Sequence, residues 1–196
     1  MFYVLRNLFA LIGVVAVVFA IFAAVKMAPM MKTFDSFDER ALSVYMEMME
    51  KIVETGNAAE ATVWKIPVNE DLTVEDVEET MKFVANEHNI KNVGELPLSA
   101  QIEAMSGEKS RFLKIFMFCN ALTAAQMLEH SDAFSAYLPC RISLVEDKQG
   151  KLWLYSLNMD AMIYGGKKLP TDLKEEAEGV KEIILDIMNR GAEGDF

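Results

Sequence analysis

The chain is 196 residues long and carries 19 basic and 30 acidic side chains, a net charge of −11. Its first 32 residues hold Arg6, Lys26 and Lys32 and no acid, so the rest has 16 basic against 30 acidic groups, a net of −14. Such a domain repels nucleic acid and anionic headgroups, which excludes nucleic acid as a partner and disfavours phosphate binding along the chain.

The run Leu8 to Val25 is uncharged and lies between Arg6 and Lys26. As a helix rising about 1.5 Å per residue it spans roughly 27 Å, near the thickness of a hydrocarbon core. A cleaved signal peptide has a shorter apolar region, about 7–15 residues, ending at a small-x-small site. The best such site, Val18-Phe19-Ala20, lies inside the run. A retained anchor over residues 1–32 is therefore expected, with Pro29 disfavouring simple continuation of its helix. The flanking cations nearly balance, and the short N-terminal tail suits a signal anchor. That orientation puts the following domain on the periplasmic side of a bacterial inner (plasma) membrane.

Residues 33–57 read as a juxtamembrane amphipathic helix, Phe34 to Thr55, with Asp35 or Ser36 as N-cap and Gly56-Asn57 closing it. Two adjacent apolar stripes run along it: Ala41, Tyr45, Met48 and Ile52, then Leu42, Met46, Met49 and Val53. That face is wider than a single contact needs. Packing on its own domain is the simpler reading, and a partner face (Ala41, Leu42, Tyr45, Met46, Met48, Met49, Ile52) the alternative. Six of the fourteen methionines fall between Met27 and Met49, and flexible methionine suits adaptable contacts.

Residues 58–196 form the remaining domain. Residues 61–68 alternate like a strand, with Trp64, Ile66 and Val68 on one face. Thr73 and Asp76 make a capping-box start for a helix to about His88. Residues 92–98 form a second strand, weakened by Pro97. Residues 111–119 are the strongest strand: Leu113, Ile115, Met117 and Cys119 share one face, Phe112, Phe116 and Phe118 the other with Lys114. With both faces mostly apolar, it should be central. Asn120 caps the next helix, Ala121 to His130. A hairpin follows, 140–146 and 151–157 about the turn 147–150, with Cys140, Ile142 and Leu144 inward. Met159 to Tyr164 makes a helical turn, and a last helix opens at Pro170-Thr171, turns Leu173, Ala177, Val180, Ile184 and Ile187 inward, and stops at Gly191. The order β-α-β-β-α-β-β-α predicts an α+β domain, a largely antiparallel sheet with helices packed on it.

From about Ala61 to the end the chain resembles the bacterial and archaeal family called domain of unknown function 302. The resemblance rests on Cys119-Asn120, Leu138-Pro139-Cys140, and the turn Glu146-Asp147 with Gly150. Residues 158–166 and 189–196 resemble a membrane-anchored proteobacterial branch. It implies a compact α+β domain, often dimeric, of no established activity, in a setting of sulfur-metabolising and redox-active bacteria.

Cys119 and Cys140 stand at strand ends on inward faces, with Asn120 and Arg141 beside them, and form the candidate thiol or ligand site. Four readings are open: two buried apolar residues, a structural disulfide, a reactive thiol pair, or a Cu(I) site completed by Met159. A reactive thiol would need its pKa lowered by Arg141 or by the helix N-terminus after Asn120. His88 and His130 lack zinc-site spacing, and no nucleophile elbow, Walker or dinucleotide glycine pattern occurs, so no catalytic residue or cofactor is assigned. The turn Gly165-Gly166-Lys167-Lys168 reads as a plain turn before an anion site. The leading expectation is a membrane-tethered binding or accessory protein, such as a subunit of a membrane complex, meeting a protein partner or a second copy. The alternative is a thiol-redox or sulfur-carrier protein using Cys119 and Cys140.

Overall fold

The computed structural model describes residues 2–196; the side chains of Phe2, Val4, Leu5, Leu8 and residues 29–32, Lys32 among them, lie outside the described ones. The first helix, α1 (Phe2–Phe34), contains a stretch, Phe9–Ala28, long and apolar enough to cross a membrane. That stretch has a mean hydropathy of 2.6, and none of it is buried against the rest of the chain. Pro29 does not end α1, which continues five residues further. Proline removes a single helical hydrogen bond, and strong helix formers, Ala and Met, stand on either side of it.

The helix expected over residues 34–55 is shorter than the pattern predicts. It starts at Ala41, α2 (Ala41–Thr55), and Asp35 and Ser36 are not its caps. Ser36 donates instead to the Thr33 carbonyl, ending α1. The cause of the break is Asp38. Its side chain turns inward, accepts the Arg40 N–H, and pairs with Lys174 at 2.6 Å, so residues 35–40 become a tight turn. Phe37 bridges to Lys167, and the Asp38 N–H donates to the Gly166 carbonyl. The 165–168 turn is thus where the chain behind the first helix is fastened, and Lys168 completes it by pairing with Glu39. Gly56, left-handed at φ 66°, caps α2.

Five strands follow: β1 (Val63–Pro67), β2 (Lys91–Leu96), β3 (Leu113–Cys119), β4 (Cys140–Glu146) and β5 (Leu152–Leu157). They form one antiparallel sheet in the order β1-β5-β4-β3-β2. The domain is α+β, and β3 is internal, as its two apolar faces require. Between β1 and β2 runs α4 (Val74–Glu87), with both hydrogen bonds of the Thr73–Asp76 capping box made. The long last helix, α8 (Thr171–Glu193), lies against α4 and the sheet. It does not stop at Gly191. Gly194, left-handed at φ 74°, is its cap. Gly191 is buried for another reason: a Cβ there would meet Met81 Cγ at 2.5 Å.

Three short elements escaped the pattern. They are α3 (Ala58–Ala61), α5 (Leu98–Ser106), and a 3-10 turn at Asp132–Tyr137. The predicted helix after β3 forms as α6 (Ala121–His130), and the helical turn as α7 (Asp160–Tyr164).

Helices cover one face of the sheet. Phe116, Phe118, Ile142, Leu144 and Leu154 are fully buried there under Val77, Met81 and Val84 of α4 and Ile184, Ile187 and Met188 of α8. Burial of such side chains stabilises by about 1.5–3 kcal/mol each. On the other face Leu113, Ile115, Met117, Val145, Trp153 and Tyr155 remain half-buried, and Lys65 lies over the Trp153 ring at 4.4 Å. A second cluster joins Val44 of α2, Met127 of α6 and Leu173 and Ala177 of α8 to Met159, Ile163 and Tyr164 around α7. It fastens α2 to the domain.

Candidate functional site

Cys119 is the last residue of β3 and Cys140 the first of β4, so antiparallel pairing brings them to one end of the sheet. Phe118 stands directly across from Cys140, so strand alternation carries Cys119 onto the other face of the sheet with Ile115 and Met117, and the two cysteines do not share the expected inward face. Both are free thiols. Asn120 is committed to capping: its Oδ1 accepts the N–H groups of Leu122 and Thr123 at the start of α6. The four candidate residues, Cys119, Asn120, Cys140 and Arg141, line one largely apolar pocket of about 50 Å³. Its floor is sheet, and its walls come from α6, the 3-10 turn, α8, and α7 with the residue before it.

Three methionines, Met127, Met159 and Met162, line the same pocket. Met159 was legible as a ligand candidate from its place just after the hairpin. Met127 and Met162 were not, because each lies on a helix whose packing angle a linear pattern does not contain. Cys140 sits where the two apolar clusters meet. Burial, then the neighbouring Cys119, pushes its thiol up to about 11, and Arg141 only partly opposes them. At neutral pH Cys140 is a protonated thiol, the opposite of what an attacking thiolate needs.

The remaining motifs have structural partners. His88 Nε2 lies 2.7 Å from Asp186, and His130 packs against the Phe134 ring. Among the described residues no group of three or more His, Cys, Asp or Glu side chains could hold a metal ion. The partner-face residues divide between two environments. Ala41 is 3% exposed and belongs to the core, so it is not available to a partner. Met48 and Ile52 are half-buried beside it, because at four and eight residues from Val44 they share its inward side. Tyr45 reaches in to donate a 2.6 Å hydrogen bond to the Gly165 carbonyl. Leu42, Met46 and Met49 face outward with Val53, each more than half exposed.

An antiparallel five-stranded sheet with helices on one face defines the class of domain. The family described as Domain of unknown function DUF302 matches residues 64–191, and the chain belongs to it. Among solved structures it is similar to the uncharacterized conserved DUF302 protein of Bacillus stearothermophilus, at 14% identity and a TM-score of 0.54. That alignment covers 66% of this chain and 97% of the other, and shows the shared fold. No curated protein matches the sequence.

Proposed function

We propose that the chain is a membrane-tethered accessory protein that docks through the outer face of α2, and that the occupant of this face is a second copy. In this reading α1 is seated in the plasma membrane and the acidic domain stands on its periplasmic side. One observation carries the proposal. Leu42, Met46, Met49 and Val53 lie exposed on a helix separated by six residues from an apolar helix of membrane-spanning length.

The spacing of that stripe favours a like helix as its occupant. Steps of four, three and four residues are those of the d and a positions of a coiled-coil seam, and they cover two heptads. In a parallel pair Tyr45 would meet Glu50 of the second copy at the flank, so no like charges oppose there. A seam of this length in a 15-residue helix is marginal in free solution. Two chains anchored in one bilayer have aligned helices and a raised effective concentration, which offsets that weakness. A lipid surface is the poorer occupant, since α2 carries Glu47, Glu50 and Glu54 against one cation, Lys51.

Light scattering of the full chain in mild detergent should give a dimer. The double variant Leu42→Glu, Met49→Glu should give a monomer with an unchanged melting temperature, because both side chains are exposed. A monomeric wild-type chain, or a dimer indifferent to both substitutions, would count against this interface. Protease added to intact spheroplasts should degrade the domain if it stands outside, and protection of the domain would reverse the orientation.

A further inference from the structure

Four polar side chains are buried among the described residues: Asp38, Thr80, Thr123 and Ser156. Three have protein partners. Asp38 pairs with Lys174, the Thr80 hydroxyl donates to the Asp76 carbonyl, and the Thr123 hydroxyl donates to Glu176. The Ser156 hydroxyl makes no hydrogen bond to the protein, although the residue is only 5% exposed. Ser156 follows Leu152 and Leu154 on the inward side of β5, with Trp64 across on β1 and Ile142 across on β4. Leu154 and Ile142 are fully buried, so the hydroxyl stands where strand alternation calls for an apolar group. No fully enclosed side-chain oxygen or nitrogen among the described residues lacks a partner. The Ser156 oxygen therefore borders a cavity, and the cavity that Ser156 lines is the pocket at the end of the sheet.

The rest of that lining is largely apolar, with Ile90, Phe118, Met127 and Ala177 buried and Tyr137 and Arg141 exposed at the rim. A cavity of about 50 Å³ takes roughly three to five non-hydrogen atoms, at roughly 10–15 Å³ for each water-sized one. Water meets too few polar groups there to keep two to four bonds. A carboxylate would lose its hydration with no buried cation to receive it, since Arg141, the one cation in the lining, is exposed. We propose that the pocket binds a small uncharged molecule with an apolar body and one oxygen, a ketone or alcohol of about five non-hydrogen atoms, with the Ser156 hydroxyl as its hydrogen-bond partner. The hydroxyl donates to a carbonyl oxygen, and either donates to or accepts from an alcohol. Binding is non-covalent, and the two cysteines contribute only surface. The site is independent of the α2 interface.

The probe is 2-butanone, a ketone of that size, titrated into the full chain held in lipid nanodiscs and labelled with carbon-13 at the methionine methyls. The signals of Met127, Met159 and Met162 should shift along one saturating curve, with a dissociation constant on the order of 1 mM. Those of Met46, Met49 and Met105, which are exposed elsewhere, should stay fixed. Ser156→Ala keeps the space and deletes the hydroxyl, so it should weaken binding about three- to tenfold, the loss of one neutral hydrogen bond. Ala124→Leu, on the α6 wall, should abolish binding by filling the pocket. Propionate, of similar size but charged, should not displace the ketone. Shifts shared by the exposed methionines, or a titration that never saturates, would overturn the site. Unchanged affinity in Ser156→Ala, or displacement by propionate, would overturn the assigned ligand class. Should either variant fail to fold, the wild type decides: nuclear Overhauser contacts from 2-butanone to the Met127 and Met162 methyls support the site, and their absence at saturation refutes it.

Discussion

Asp38 shows how much one side chain governs in this molecule. It is a carboxylate whose side chain is 2% exposed, and burial alone would raise its pKa. The hydrogen bond from Lys174, the Arg40 N–H and the Lys174 charge more than offset that, and the group ends below its ordinary value. Lys174→Met leaves the carboxylate buried without its cation, and should cost roughly 3 kcal/mol in a urea-denaturation comparison. Glu95 offers a pH test. Burial again opposes ionisation, yet hydrogen bonds from Lys114 and Lys82 hold it down to about 2, against an ordinary 4.5. A carboxylate depressed in the folded state stabilises above its unfolded pKa and loses that contribution as pH falls through the folded one. The stability gap between wild type and Glu95→Gln should therefore be full at pH 7, shrink below about 4.5, and vanish near 2.

At the scale of elements, two glycines near the C-terminus divide the work that sequence pattern assigned to one. Gly194 ends α8 in the left-handed conformation, whereas Gly191 lets α8 approach α4 closely at Met81. Gly191→Ala gains helix propensity but drives a methyl into the stem of a buried side chain, and overpacking of this kind should destabilise by about 1–3 kcal/mol in thermal or urea unfolding. The same division explains what could be read in advance. Strands β3, β4 and β5 and the capping box before α4 were legible because alternation and local capping are one-dimensional signals. The break at residues 35–40 was not, since it depends on Lys174, far away in the chain. Neither was α5, a nine-residue helix straight after Pro97 whose Leu98, Ile102 and Met105 recur at helical spacing although none of its residues is buried. For the candidate site, the strand-end cysteines were legible and the methionines that surround them were mostly not.

The whole molecule is an acidic domain behind an apolar helix. Removing residues 1–32 should move the protein from the membrane pellet to the soluble fraction after carbonate extraction. It should also turn the proposed dimer into a monomer at micromolar concentration, since the short seam then lacks its confinement. A truncated chain that still pellets would assign membrane retention to the domain. The turn at residues 35–40 has a further consequence. Phe37, Asp38 and Glu39 are each bonded to the 165–168 loop or to α8, so the domain side of the junction is not a slack leash. For a chain seated in a bilayer, the domain would sweep a narrow cone in place of a hemisphere. Its search for a mate then reduces to drift in a plane and spin about one axis, and the azimuth of α2 around the anchor decides which neighbours it can greet.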